Sequence, residues 1–457
     1  MSLPAPRHLL LLAGCAFSVA FLAFRFADPD LFWHLAAGDH ILSAHALPRV
    51  DAWSWSVTGQ PWTDHEWAWE VCASLLYRAL GLPGLALLVW AAAFAAGAFL
   101  ALALRRAGSS PDAAFAAAAF GVLLGMGWWR PWPQVGAYAC FAAYLALRRG
   151  SPWVLALAVV WANLHATAVM LPVLLALEAG WAWAREGERP LSRLGIAALA
   201  AAGTLASPLG FGLWRYALRE GLLTHTYRQV VQEWMPLDLH QPGQAVVAVV
   251  GAAVLVAALV QRRAGDIAFP RAAGFWAAAF VSRIYLPLAL LGTALLMGLM
   301  VPHIHRRTAR AITAAVGLLV LAMGASAWRD GLPGSLDGLA RACGYPVDAV
   351  PVLRERGFSR VHNPLGWGGY LLWRGVPVFI DGRNDLYAEV LPTYLDGSSR
   401  ERYGADAVLA REGDAWDLGA RRDGWDEVWR QNGVVIWWRP GLNYNSQSPR
   451  ASRGFCE

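Results

Sequence analysis

The sequence contains no lysine: all 38 basic side chains are arginine. Charge of either sign is scarce, 15% of 457 residues against 57% hydrophobic, where a soluble domain carries about 25% charged and about 45–50% apolar residues. That balance excludes a disordered chain and argues against a soluble enzyme of two or three domains. Cysteine is rare as well. Cys15, Cys72, Cys140, Cys343 and Cys456 form no CxxC pair and no metal-type spacing, three of them lie in or beside apolar segments as buried thiols would, and a Cys343–Cys456 disulfide stays open only in an oxidising compartment. No GxGxxG follows a strand, which excludes a dinucleotide fingerprint. No internal repeat is visible, and the only linker-like stretch is Gly331–Gly338, a plausible hinge. The missing lysine, with heavy use of Ala, Gly, Pro and Trp, points to a GC-rich bacterial genome and says nothing about function.

Long apolar runs are abundant. About eleven have the length a bilayer core requires, at roughly 9–27, 84–104, 112–128, 134–147, 152–166, 168–184, 193–208, 244–260, 269–282, 284–301 and 311–328. Leu12-Ala13-Gly14-Cys15 resembles a lipoprotein cleavage box, but the apolar stretch before it is too short and the run continues to Phe26, so the first span reads as uncleaved. Arginines mark alternate loops: Arg7, then Arg105-Arg106, Arg148-Arg149, Arg185 with Arg189 and Arg193, Arg262-Arg263, and Arg306-Arg307-Arg310. The positive-inside rule places these loops in the cytoplasm and the loops between them outside. The expected fold is therefore an α-helical polytopic membrane protein with about 11 transmembrane helices. Residues 1–328 form the transmembrane domain, with a long first external loop at 28–70, and the odd span count sends 329–457 outside as an extracytoplasmic α/β domain. Residues 1–328 hold 22 Arg and 15 acids, and 329–457 hold 16 Arg and 17 acids. The basic excess thus sits in the membrane part, where it sets orientation; no nucleic-acid partner is expected.

Chemistry-bearing residues gather in the external loops. Asp28-Pro29-Asp30-Leu31-Phe32-Trp33-His34 follows span one and places Asp30 and His34 on one face of a short interfacial helix. Ionisable residues at a membrane edge are functional candidates, although Asp also caps helices, so capping, catalytic and metal roles all stay open. Further on stands Thr63-Asp64-His65-Glu66-Trp67-Ala68-Trp69-Glu70. A zinc protease would need a second His at position 69, where Trp stands. His65 and Glu66 either share a polar site with the Asp pair or sit in an interfacial aromatic belt. Arg130, Asn163, His165 and Arg283 fall at the outer ends of spans, and Glu233 in another external loop. An external Arg runs against the charge bias; a guanidinium there either pairs with a lipid phosphate or snorkels to headgroups.

In 329–457 apolar runs shorten to strand length at Val376–Ile380, Ala405–Ala410 and Val434–Trp438, alternating with helical stretches at Asp348–Arg356 and Ser398–Tyr403. Asn432-Gly433 is a hairpin turn signal. Gly366-Trp367-Gly368-Gly369-Tyr370 reads as a Gly-rich turn bringing backbone close to a ligand or another segment. Asp381, closing an apolar strand, reads either as a functional side chain or as part of a tight turn with an Arg383–Asp385 pair.

Taken together, Asp28–Gly38, Trp62–Glu70, Arg130-Pro131, Asn163-Leu164-His165 and Gly366–Tyr387 resemble the GT-C superfamily of membrane glycosyltransferases, most closely an uncharacterised bacterial branch. Asp30-Leu31-Phe32-Trp33 resembles the first-loop acidic motif of oligosaccharyltransferase catalytic subunits. Gly366–Tyr370 before Val378-Phe379-Ile380-Asp381-Gly382 resembles their Trp-Trp-Asp-Tyr-Gly segment and the strand after it. Gly368 and Gly369 stand where that segment has its acidic residue, so a Ser/Thr peptide acceptor is not implied. The resemblance implies a GT-C-like fold and transfer of a sugar, with inversion, from a polyprenyl-phosphate or pyrophosphate carrier to a glycan, lipid or protein acceptor of the cell envelope. It implies Asp30 or Asp28 as catalytic acid/base, Arg130 and Arg283 on the phosphate, and His34, His65, Glu66, Asn163, His165, Glu233, Trp367, Tyr370, Asp381 and Arg383 around the substrates. No cofactor is required, and a divalent cation (Mg or Mn) bridging carboxylates and phosphate is optional. The expected location is the bacterial inner membrane. The competing readings are a non-catalytic or ligase-type polysaccharide assembly protein and, with less support, a secondary transporter, which would show paired repeats and mid-bilayer binding residues.

Overall fold

The computed structural model describes residues 6–24, 28–148, 150–187, 190–219 and 231–440; Arg149, Arg189 and Cys456, invoked above, lie outside them. The chain divides into two compact units. The first comprises Met1–Asp28, Ile41–Leu47 and Thr63–Ser335; the second comprises Pro29–His40, Pro48–Trp62 and Leu336–Glu457. Two pieces of the first loop are thus packed with the C-terminal residues.

Each expected span in the first unit falls on a helix. Among the described residues, six helical segments are long and apolar enough to cross a membrane: Pro6–Ala23, Leu82–Arg106, Ala166–Arg185, Pro242–Val260, Arg283–Met300 and Arg306–Ala327. At about 1.5 Å per residue, the 25-residue Leu82–Arg106 helix covers about 37 Å, more than a hydrocarbon core of about 30 Å. Pro111–Leu124, Gln134–Ala146, Trp153–Leu164 and Leu191–Thr204 are shorter apolar helices, and Ala268–Val281 has 14 residues. Local chemistry sets the ends. Pro83 opens Leu82–Arg106 where its missing N–H costs nothing, and Arg105 and Arg106 close it against the negative end of the helix dipole. Ser110 caps the next helix by accepting from the Ala113 amide at 3.2 Å. In the span window ending at Met300, 67% of residues are buried, against 6% in Arg306–Ala327. The former is therefore a central helix, while the latter leaves an apolar surface that suits lipid.

The arginine loops of this unit meet at one end. Arg7 pairs with Asp112 at 3.1 Å, Arg106 donates to the Ala146 carbonyl, the Ser109 hydroxyl to the Gly298 carbonyl, the Ser110 amide to the Pro302 carbonyl, and Arg263 to the Leu299 carbonyl. The loops carrying Asp28, Arg130, Glu233 and Ser282 are joined to one another by bonds described below. The sequence therefore alternates between two chemically different ends, as the arginine pattern implies.

The second unit holds a four-stranded sheet, β1 (Val361–His362), β2 (Ala407–Arg411), β3 (Asp426–Gln431) and β4 (Val434–Trp438), in the order β1-β2-β4-β3. β1 and β2 are parallel and the other pairs antiparallel, with Ala407 opposite Trp438. The Asn432-Gly433 turn is as the sequence reads: φ is 52° and 73°, both left-handed, as a two-residue hairpin of this twist requires. Val408, Ala410, Ala420, Val435 and Trp437 pack as a core under Trp416 and Trp425.

Two expectations are corrected here. Val376–Ile380 is not a strand of the sheet; it makes a single parallel bridge, Val378 to Ser54. Pro377 removes a donor, and the Asn363 side chain replaces a ladder partner, accepting from the Phe379 amide and donating to the Ile380 carbonyl, both at 2.8 Å. The Gly-rich stretch is not a turn but lies within the helix Leu365–Trp373. Its glycines serve close approach: a Cβ on Gly368 would lie 2.7 Å from Cα of Asp381, and one on Gly369 2.5 Å from the Pro29 carbonyl.

Candidate functional site

In the first unit, Asp28 follows the first span and is 5% exposed. Its Oδ2 lies 3.4 Å from Nη1 of Arg130, which also reaches Oε1 of Glu233 at 3.1 Å. Arg130 occupies the turn between Pro111–Leu124 and Gln134–Ala146. Its Nε donates to the Gly127 carbonyl at 3.1 Å and its Cζ lies 5.4 Å from the Trp132 ring centre. Burial works against the guanidinium's charge, yet Asp28 and Glu233 outweigh it and hold Arg130 above the ordinary arginine range. The side chain is 40% exposed, and no bond to Nη2 is present among the described residues, so two N–H donors remain for an oxyanion.

Glu233 is positioned from the opposite wall of this cluster. Ser282 Oγ donates to the Glu233 carbonyl at 3.3 Å, the Arg283 amide donates to the Met235 carbonyl at 2.9 Å, and Arg283 Nε donates to the Gln232 carbonyl. The structure thus places Arg283 on the backbone of the Glu233 loop. Asn163 also binds backbone, donating to Val159 at 2.8 Å and Ala206 at 2.9 Å, where it ties its helix end to the turn after the helix Leu191–Thr204.

A second cluster joins Glu66, His65 and His165. Glu66, 4% exposed, immediately precedes the helix Trp67–Leu80. Its Oε1 lies 3.0 Å from Nε2 of His165 and 3.5 Å from Nε2 of His65. His65 stacks on Tyr216, ring centres 4.2 Å apart. Burial pushes the Glu66 carboxyl up, opposed by His65, and pushes His65 down to about 4. Both groups are thereby driven toward their neutral forms, an arrangement suited to sharing a proton. His165 Nδ1 accepts from the Thr167 amide at 3.1 Å, so the neutral ring carries its proton on Nε2, facing Glu66.

These three residues also offer one ligand atom each, all within 4.8 Å of one another. Two imidazoles and one carboxylate suit Mn better than Mg. Ligation through His165 Nε2 requires its proton to move to Nδ1, where Thr167 Oγ1 stands 2.9 Å away as an acceptor. The residues fit a cation on those terms.

In the second unit, the helix Pro29–Ala44 carries Asp30, Trp33 and His34. Trp33 donates from its indole to Asp30 Oδ1 at 3.0 Å, and its ring lies 3.6 Å from the His34 ring. Phe32 packs edge-on against Tyr370 at 5.1 Å. Asp381 and Arg383 are wholly buried. Arg383 forks onto Asp381 through Nε at 2.9 Å and Nη2 at 2.7 Å, and reaches Asp51 through Nη1 at 2.6 Å. Tyr387 donates to Asp381 at 2.8 Å. The Arg383 Cζ lies 4.9 and 5.0 Å from the ring centres of Trp53 and Trp62. The partners of Arg383 are thus Asp381 and Asp51, where the sequence offered Asp385. Trp367 and Tyr370 are core residues, at 1% and 0% exposure. Arg411 lies over the Trp367 ring, and the Tyr370 hydroxyl donates to Asp337 at 2.8 Å.

Sequence reasoning gave no role to Asp51, Trp53, Tyr387 or Trp33. Only the Trp-rich character of the first loop hinted at the aromatic part. Asp51 and Arg383 are 332 positions apart, and no local pattern joins them.

No family model and no curated protein sequence matches the chain. Solved structures do. The apo oligosaccharyltransferase of Archaeoglobus fulgidus superposes at TM-score 0.56 and 11% identity, over 88% of this chain and 69% of the other. The same figures hold for the archaeal oligosaccharyltransferase AglB from that organism in complex with an inhibitory peptide and a dolichol-phosphate. ArnT from Cupriavidus metallidurans superposes over 94% of this chain and 97% of its own. Its TM-score is 0.56 at 12% identity in the apo state, and 0.54 at 13% identity bound to undecaprenyl phosphate. The chain therefore has the GT-C fold, that of a multi-pass helical membrane protein with a small C-terminal sheet.

Proposed function

We propose that the chain is a GT-C-type glycosyltransferase, moving a sugar from a polyprenyl-phosphate or pyrophosphate carrier to a glycan, lipid or protein acceptor of the cell envelope. The observation that carries this reading is the Asp28–Arg130–Glu233 cluster. It holds a partly exposed cation with two spare N–H donors at the end of the first unit remote from the arginine loops. It does so in a fold whose solved examples include complexes with dolichol-phosphate and undecaprenyl phosphate. Under the positive-inside rule that end faces out of a bacterial cytoplasmic membrane, and the C-terminal unit is proposed to lie on the same outer side.

The departing lipid phosphate gains charge as the glycosidic bond breaks. Arg130 Nη2 is suited to receive it, because a preorganised donor counts most where charge develops. Asp28 and Glu233 aim that guanidinium, and Arg283 holds the loop that carries Glu233. An acceptor hydroxyl or amide attacks the anomeric carbon from the face opposite the phosphate, which inverts the configuration. Asp28 is committed to Arg130, so Asp30, two residues on and partly exposed, is the better general base, a role worth a factor of about 10² to 10⁴. For a divalent cation, His65, Glu66 and His165 are the proposed holders; it would supply Lewis-acid stabilisation of phosphate charge.

The test uses purified protein in liposomes with radiolabelled polyprenyl-phosphate sugars, following release of the free lipid phosphate by wild type and Asp30→Asn. Release that disappears in the variant supports the transferase. Absence of release across a donor panel, with donors shown not to bind, moves the reading to a polysaccharide assembly protein.

A further inference from the structure

Asp30 sits against a backbone that leaves room for nothing larger than glycine. A Cβ on Gly382 would fall inside contact distance of Asp30 Oδ1, 2.9 Å from Asp30 Cγ and 2.7 Å from Nε1 of Trp33. Gly382 therefore faces the same carboxylate oxygen that the Trp33 indole donates to at 3.0 Å. One turn of helix carries both Asp30 and Trp33, and one C-terminal residue abuts the pair. All three belong to the second unit.

The flanks of Gly382 explain why that backbone stays put. Asp381 before it and Arg383 after it are locked to each other by the fork described above, and Arg383 is locked to Asp51. Asp51 in turn accepts from the Ser54 amide at 3.0 Å. On the other side, Gly369 lets the helix Leu365–Trp373 touch the Pro29 carbonyl, and Gly368 lets it touch Asp381. Gly369 and Gly382 thus meet the first turn of the helix that carries Asp30, while Gly368 and one buried ionic cluster hold the segment that carries Gly382.

We propose that Gly382 and Trp33 are positioning residues for Asp30: Gly382 by leaving the space its carboxylate occupies, Trp33 by holding Oδ1 through its indole N–H. The proposal rests on Asp30 as the general base. It separates the three glycines by what a methyl group would strike. At Gly368 and Gly369 it strikes backbone, so the packing itself must shift. At Gly382 it strikes the ends of two side chains, so the carboxylate turns away while the fold persists.

The experiment uses the full chain in liposomes with a radiolabelled polyprenyl-phosphate sugar to which wild type responds. It compares wild type, Asp30→Asn, Gly382→Ala and Trp33→Phe by kcat, donor KM and thermal unfolding midpoint. A misplacement of about 1 Å costs about 10²-fold. The expected result for Gly382→Ala and Trp33→Phe is a kcat lowered by about 10- to 100-fold, with donor KM within about twofold and the midpoint unmoved. Wild-type kcat in both, with Asp30→Asn inactive, overturns the positioning role and leaves Asp30 as the base. A kcat loss matched by a fall in midpoint in both assigns them to structure and also overturns it. Full activity of Asp30→Asn removes the base reading and the proposal with it. Should Gly382→Ala fail to fold, Trp33→Phe decides alone.

Discussion

Replacing Arg383 offers a clean test of how the second unit is held, because the cluster around it is unbalanced by design. One cation serves two carboxylates, and all three side chains are shut off from water. In Arg383→Met the side chain keeps its approximate volume, but Asp51 and Asp381 are left buried with neutral donors only: the Ser54 amide and hydroxyl and the Trp53 amide for one, the Tyr387 hydroxyl and the residue 383 amide for the other. Removing one partner of a buried ion pair costs about 3–5 kcal/mol. For a domain of about 150 residues, each kcal/mol moves the unfolding midpoint by about 2–4 °C. The expected loss is therefore about 10 °C, measured by differential scanning fluorimetry of the full chain in detergent. Arg383→Lys keeps the charge but cannot reproduce the fork onto Asp381 while also reaching Asp51, so it should fall between wild type and Met. An Arg383→Met midpoint within about 2 °C of wild type would refute the reasoning, and a Lys variant equal to wild type would show that charge alone, without the fork, holds the segment.

Three further outcomes are expected. Arg130→Gln should lower lipid-phosphate release by about 10²- to 10³-fold, whereas Arg283→Gln, which only loosens the Glu233 loop, should cost about tenfold in the same assay; equal losses would count against the division of roles. Chelation with EDTA should lower release and Mn should restore it in wild type but not in His165→Ala, and full activity in EDTA would remove the cation from the proposal. His65 makes stability depend on pH. Its folded-state value is pushed by burial from near 6.5 down to about 4, so between those values the unfolded chain binds the proton that the folded chain does not. Stability from this group is present above about pH 6.5 and is lost as pH falls toward about 4, by about 3 kcal/mol at most. Glu66, pushed up by burial, acts with the opposite sign: its contribution is present at low pH and fades as pH rises through its folded value. His65→Gln removes the first effect and leaves the second, so the variant should lose less stability than wild type on acidification from pH 6.5 to 4. Parallel unfolding midpoints across that window would sink this assignment.

What could be read from the sequence follows from how local each signal is. Hydropathy over a span is a property of consecutive residues, so all eleven expected spans meet helices, and the arginine loops collect at one end of the first unit. β2, β4 and the Asn432-Gly433 hairpin were legible for the same reason, since short apolar runs and turn chemistry sit within a dozen residues. The site was legible only in part. Asp28 and Arg130 read as polar residues at outer span ends and Glu233 as one of an external loop, but their mutual contact spans more than 100 positions of sequence, which no local pattern encodes. The Val376–Ile380 run shows a different failure: its apolar pattern suits a strand, yet Pro377 and the Asn363 amide give its backbone another set of partners.

The glycine motif carries the sharpest lesson. Read locally, Gly366-Trp367-Gly368-Gly369 is rich in helix breakers, each costing about 1 kcal/mol against alanine in a helix interior, and a turn is the economical reading. The structure makes it a helix because the missing Cβ atoms are worth more than the propensity they forfeit: they admit Asp381 on one side and the Pro29 carbonyl on the other. A residue that weakens its own element in order to let two others meet is evidence about those two others. Here they are the C-terminal Asp381-Gly382-Arg383 segment and the helix bearing Asp30, so the violation of local preference points to the carboxylate on which the proposed chemistry depends. If that inference holds, Gly369→Ala should lower the unfolding midpoint of the full chain, because its methyl group meets backbone, while Gly382→Ala should not. The reverse order would mean that the glycines serve the helix Leu365–Trp373 itself and say nothing about Asp30.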